Sequence, residues 1–97
     1  MLAKDPAARV GLTPSRDRSM KTTAYFDAIR QRRDREVIKN EWIERAIEKP
    51  AREFVQADGR IRRWVQIAEM NNRYLRVILL PDGETVHNAF FDRRFPS

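Results

Sequence analysis

Residues 59–95, GRIRRWVQIAEMNNRYLRVILLPDGETVHNAFFDRRF, decide the fold. Residues 60–70 alternate apolar with polar or charged side chains and read as a long strand. Asn71-Asn72 reads as a turn, because asparagine tolerates positive φ. Residues 74–80 are nearly all apolar, which predicts a central strand covered on both faces. Pro81-Asp82-Gly83 turns the chain again, and residues 84–91 form the last strand. Working outward, Asp58-Gly59 is a strong hairpin signal and joins residues 52–57 as a further strand. Four strands linked by short turns predict an antiparallel meander.

Upstream the apolar period changes from two to that of a helix. Thr22 or Thr23 is positioned to cap a first helix over residues 24–32, with Tyr25, Phe26 and Ile29 on one face. A second helix is expected over residues 34–48, capped by Asp34 and stopped by Pro50. Its stripe is Ile38, Trp42 and Ala46, with Ile43 and Ile47 beside it. Glu36, Glu41, Glu44 and Glu48 read as a solvated face within salt-bridge reach of Lys39 and Arg45. The expected class is therefore α+β, two N-terminal helices packed on one face of a four-stranded sheet. Residues 1–19 hold Pro6, Gly11 and Pro14 and no lasting period. They read as a flexible arm ahead of a single domain over 20–97, or as the product of a start codon placed too early, Met20-Lys21 being a natural beginning.

Composition narrows the function. The 97 residues allow one domain with a small core. No apolar run is long enough to span a bilayer and the N-terminus has no hydrophobic signal core, so a cytoplasmic protein is expected. The absence of Cys excludes disulfides, thiolate zinc sites and a Cys nucleophile. One His and no Gly-rich loop leave no metal or cofactor expected. The 20 basic residues outnumber 14 acidic ones, giving a net charge of +6. Sixteen of the 20 are Arg and four are Lys. Arg presents a planar fork that grips phosphate and stacks on bases, which favours phosphate binding over the alternative, GC-rich codon usage.

Strand alternation sorts the side chains. Ile61, Val65 and Ile67 form an apolar set with Leu75, Val77 and Leu79, and Arg63 lies among them near the strand's start. Arg62, Trp64 and Gln66 point the other way, with Tyr74, Arg76 and Ile78. On the last strand both sets hold aromatics, and His87 is assigned to the side of Arg62, Trp64, Tyr74 and Arg76. That face would combine phosphate-neutralising arginines, rings for unstacked bases and an imidazole able to move a proton near neutral pH. Arg93 and Arg94 are candidate phosphate clamps, or part of a solvated terminus with Phe95 folding back onto the core; Asp92 is read as part of that terminus in preference to orienting His87 or pairing with an arginine. Arg33, within the cluster Arg30, Arg32, Arg33 and Arg35, is a candidate to extend the basic path; the alternative is that the cluster is a solvated link between the two helices.

The stretches IKNEWIERAIEKP, DGRIRRWVQI and RYLRVILLPDGETVHNAFFDRRF resemble a family of small, mostly uncharacterised bacterial proteins. The order of helices and strands is similar to that of RelE-like and BrnT-like ribonuclease toxins of toxin–antitoxin pairs. That resemblance implies a microbial ribonuclease-like fold, metal-independent RNA cleavage through attack of a ribose 2′-OH, and a small antitoxin partner. The residues matching the types used by such toxins are Arg62, Arg76, His87 and Arg93, with Tyr74 or Glu69 as a conceivable base; the expected nucleic-acid contacts are Trp64, Arg63, Arg93, Arg94 and Arg33. The expected function is a toxin-like endoribonuclease; the alternatives are a non-catalytic nucleic-acid-binding module and a protein-interaction domain.

Overall fold

The computed structural model of the protein describes residues 20–95. The arm expected over 1–19 lies outside them. The described elements are α1 (Ala24–Ile29), α2 (Arg33–Glu36), α3 (Asn40–Glu48), β1 (Arg52–Val55), β2 (Ile61–Ile67), β3 (Arg73–Leu79) and β4 (Val86–Phe91). The strands form one antiparallel sheet in the order β1-β2-β3-β4, the expected meander. It is an α+β fold with β2 and β3 in the centre.

Local chemistry sets the turns. Gly59 takes φ +93°, and a Cβ there would meet Pro81 Cγ at 3.2 Å, so this hairpin wants glycine twice over. The long strand expected over 60–70 stops early. Ala68–Met70 tighten into a 3-10 turn, and Asn71 and Asn72 both take positive φ, 58° and 61°. Two consecutive left-handed residues are the pattern of a type I′ turn. After β3, the Asp82 carboxylate accepts from the N–H groups of Glu84 and Thr85 and from Thr85 Oγ1. These bonds favour the ionised form and lower its pKa to about 2.

Thr23 caps α1 by accepting from the Phe26 N–H at 3.1 Å, as the sequence predicts. Phe26 and Ile29 are buried, but Tyr25 stays half exposed and points away from the core. The single helix expected over 34–48 is two. The break falls at Val37–Lys39, where a β-branched pair weakens the helix. Asp34 consequently lies inside the first turn of α2 and caps nothing; Lys39 is the residue before α3. Breaking there sends Ile38 into the core and lets Arg35 turn toward β4. The predicted stripe holds: Ile38, Trp42, Ile43 and Ala46 are buried, with Ile47 partly so.

α3 lies on β2 and β3, while α1 and α2 lie against β4. The core they share is built from Val65, Ile67, Leu75, Val77, Leu79, Val86 and Ala89. β3 is not covered equally on both sides. Leu75, Val77 and Leu79 are buried, whereas Tyr74, Arg76 and Ile78 are half-buried. The residues before α1 add a parallel bridge, Thr22 to Val86, along the outer edge of β4. A bulge follows, because Leu79 pairs with Val86 while Ile78 pairs with Asn88. His87 is the residue left over.

Candidate nucleic-acid interface

Register places the side chains of the face away from the core in rows. Arg52, Trp64, Arg76 and Phe90 are successive partners across all four strands. Phe54, Arg62, Ile78 and Asn88 form the next row. Gln66 and Tyr74 begin a third. Cations therefore alternate with rings along the first row, and the second opens with a ring and a cation. Arg76 lies over both Trp64 and Phe90, at 5.4 and 5.1 Å, and Arg62 lies over Phe54 at 5.5 Å.

The C-terminal turn completes this face. Asp92 is buried, and its Oδ2 accepts from Trp64 Nε1 at 3.0 Å, Arg76 Nε at 3.0 Å and Arg76 Nη2 at 2.6 Å. Its Oδ1 accepts from the Arg94 N–H. Burial alone would raise the carboxyl's pKa. The bonds from Trp64, Arg76 and the Arg94 N–H, with the Arg76 charge, outweigh burial and hold it below the ordinary 3.8. Asp92 is thus the hub of the face and not a bystander. With the chain turned here, Phe95 folds onto the sheet. Its ring stacks on Trp64 at 4.7 Å and meets Tyr74 edge-on at 4.8 Å. Arg52 stands over the Phe95 ring at 5.8 Å.

A depression of about 430 Å³ opens beside this stack, lined by Arg52, Phe54, Arg62, Arg76, Arg94 and Phe95 among others. Two acids enter it, and both are spoken for. Asp92 is held by Arg76, and Glu53 by Arg63 at 2.7 Å. Arg52, Arg62 and Arg94 have no acidic partner among the described residues. A second depression continues past Tyr74, Asp92 and Phe95 to Arg73 and Arg93, and a third from there to Arg35 and Phe90. Arg35 reaches the face from α2, donating to Asn88 Oδ1 at 2.8 Å and lying over Phe90. Together the three depressions make one basic, aromatic path across the sheet and around its end.

Several expected residues sit elsewhere. His87 does not converge with Arg62, Trp64, Tyr74 and Arg76. As the bulge residue it stacks on Tyr25 at 5.0 Å, and its Nδ1 lies 3.1 Å from Thr23 Oγ1. It is three residues along β4 from Phe90, the partner of Arg76, a separation of about 10 Å. Burial draws its pKa below 6.5, assisted by the Arg60 charge, so the imidazole is neutral at pH 7. Glu69, in the β2–β3 turn, lies at the opposite end of the sheet. Arg63 is on the core side, donating to Glu53 and to the Ile47 carbonyl, and is not on the path. Trp64 is on the expected face but is buried, because Phe95 and Asp92 cover it. Arg33 is exposed on α2 with no place in the depressions; Arg35 takes that role. Arg93 and Arg94 are exposed and lie where a phosphate clamp is expected. Arg52 and Phe54 escaped the sequence reading, and Arg35 entered it only as one member of the basic cluster. The pairing of Arg52 and Phe54 with Trp64 and Arg62 follows from the Asp58-Gly59 hairpin register, and was the available signal.

No helix among the described residues is long and apolar enough to cross a membrane. No cluster of His, Cys, Asp or Glu among them could hold a metal ion. Comparison with known proteins finds no matching family model, curated protein or solved structure.

Proposed function

We propose that the face opposite the core binds single-stranded nucleic acid, RNA on the strength of the toxin-like resemblance, and holds it without cleaving it. One observation carries this reading. Three guanidinium groups, Arg52, Arg62 and Arg94, surround a stack of rings and have no acidic partner among the described residues. Arginines whose charge no carboxylate offsets neutralise phosphates, and flat rings take unstacked bases; the Arg62 guanidinium donates to the neutral Gln56 amide. The four strands span about 14 Å at the usual spacing, which suits the short end of single-strand site sizes, roughly 4 nucleotides.

Binding is favoured over cleavage for a physical reason. Transfer of a 2′-OH proton needs a base within hydrogen-bond reach of the phosphate contacts. His87 lies about 10 Å along β4 from Phe90, the strand partner of Arg76. Arg76 is already neutralised by Asp92. The small partner protein implied by the resemblance would, if acidic, compete for the same three arginines.

Fluorescence anisotropy with a labelled octauridylate tests the proposal. Affinity should fall steeply with salt, and each of Arg52→Gln, Arg62→Gln and Arg94→Gln should flatten the log–log slope by roughly 0.7. A duplex of the same length should bind more weakly, and a DNA octamer shows whether the ribose matters. Salt-independent binding, or none, sinks the reading. Oligomer shortened to cyclic-phosphate ends would replace it with the ribonuclease.

A further inference from the structure

The ring of Phe95 lies where a ligand's base would be expected to stack. It is parallel to Trp64 within 12° and edge-on to Tyr74 within reach of a T-shaped contact, with Arg52 over the ring. That is a slot one ring wide, with two aromatic walls and a cation against its occupant. Resting on the RNA-binding reading, we infer that Phe95 is an intramolecular stand-in for a base. The slot between Trp64 and Tyr74 is then a base subsite that the chain itself fills when no RNA is present.

Three features make the occupant displaceable. The Arg94 N–H holds the turn to Asp92 Oδ1 at 3.0 Å, but Phe95 itself is tied to the turn only by its N–H, which donates to the Asp92 carbonyl at a long 3.4 Å. Arg93 and Arg94 on either side of the bend are exposed, so the segment has no core anchor of its own. Asp92, which orients Trp64 and Arg76, is fixed independently of Phe95, so the subsite's walls persist when the ring leaves. A phenyl ring offers stacking area only. A base brings the same area plus a phosphate for Arg52, Arg62 or Arg94, so RNA wins the slot by charge.

A self-filled slot reduces apparent affinity by the fraction of molecules in which it is free. The test compares the full chain with its Phe95→Ala variant by anisotropy, using octauridylate and an octamer whose central nucleotides are abasic. Phe95→Ala should bind octauridylate about 5-fold more tightly on that ground, while abasic RNA changes little. In a Trp42→Phe background, Trp64 is the sole tryptophan, and Phe95→Ala should make it more accessible to acrylamide without RNA present. This second measurement stands even where the affinity change is small. Unchanged or weaker octauridylate binding by Phe95→Ala, with the parent chain binding normally, overturns the stand-in and leaves RNA binding intact. Binding by the variant alone supports a slot closed in the parent chain. Binding by neither overturns both readings.

Discussion

Two tryptophans show how a side chain's partner, not its type, sets its worth. Trp64 Nε1 donates to Asp92, while Trp42 Nε1 is buried with no hydrogen-bond partner among the described residues. An unmet buried donor costs about 1–3 kcal/mol. Trp42→Phe removes that cost along with some volume, so its net effect on stability should stay within about 1 kcal/mol. Trp64→Phe strips a donor from a buried carboxylate and should cost about 2 kcal/mol. Urea denaturation of both variants checks the order, and a reversed order contradicts it. His87 supplies a pH test. Its folded pKa lies below the unfolded 6.5, so the unfolded chain takes the proton first as pH falls. The His87 contribution should therefore be intact above pH 6.5 and lost as pH drops through the folded value. Melting temperature should fall on acidification from pH 7.5, and His87→Gln should remove that portion of the slope. A variant as pH-sensitive as the parent would contradict the assignment. At this scale the sequence was only partly legible. Arg62, Trp64, Tyr74 and Arg76 fall on one face because alternation is rigid, but His87 lies beyond a bulge, which resets alternation and leaves no local signature.

Elements were more legible than side chains, because turns are fixed by local chemistry. The Asp58-Gly59, Asn71-Asn72 and Pro81-Asp82-Gly83 signals all fall at hairpins of the meander. The β2–β3 connection can be tested directly. Asn71 and Asn72 occupy the left-handed region, where a Cβ without a compensating local hydrogen bond costs about 1–2 kcal/mol. Asn71→Val should destabilise by that amount and Asn71→Gly by far less; equal denaturation midpoints would contradict the turn type. The helices were harder to read. A continuous stripe from Ile38 to Ile47 made one helix look sufficient, and the break before it is accompanied by Arg35 bonding Asn88, 53 residues away. Periodicity carries no information about such a distant contact.

On the scale of the whole molecule, charge placement matters more than net charge. The cations lining the depression beside the ring stack divide into one consumed by the fold, Arg76 by Asp92, and those without an acidic partner among the described residues, Arg52, Arg62 and Arg94. No composition count separates the two kinds, and Asp92 is what does so. The sheet's two borders differ as well. Along β4, Val86 is bonded on its outer side by the backbone of Lys21 and Thr23, and the Ala89 carbonyl accepts from Arg35. Along β1, all four residues are exposed, including Phe54 and Val55, and no strand lies outside it among the described residues. A tile with a single adhesive side joins one other tile and then stops. Among the described residues backbone pairing is open on one side of this sheet only, so a strand added there would end at a pair rather than continue into a fibre.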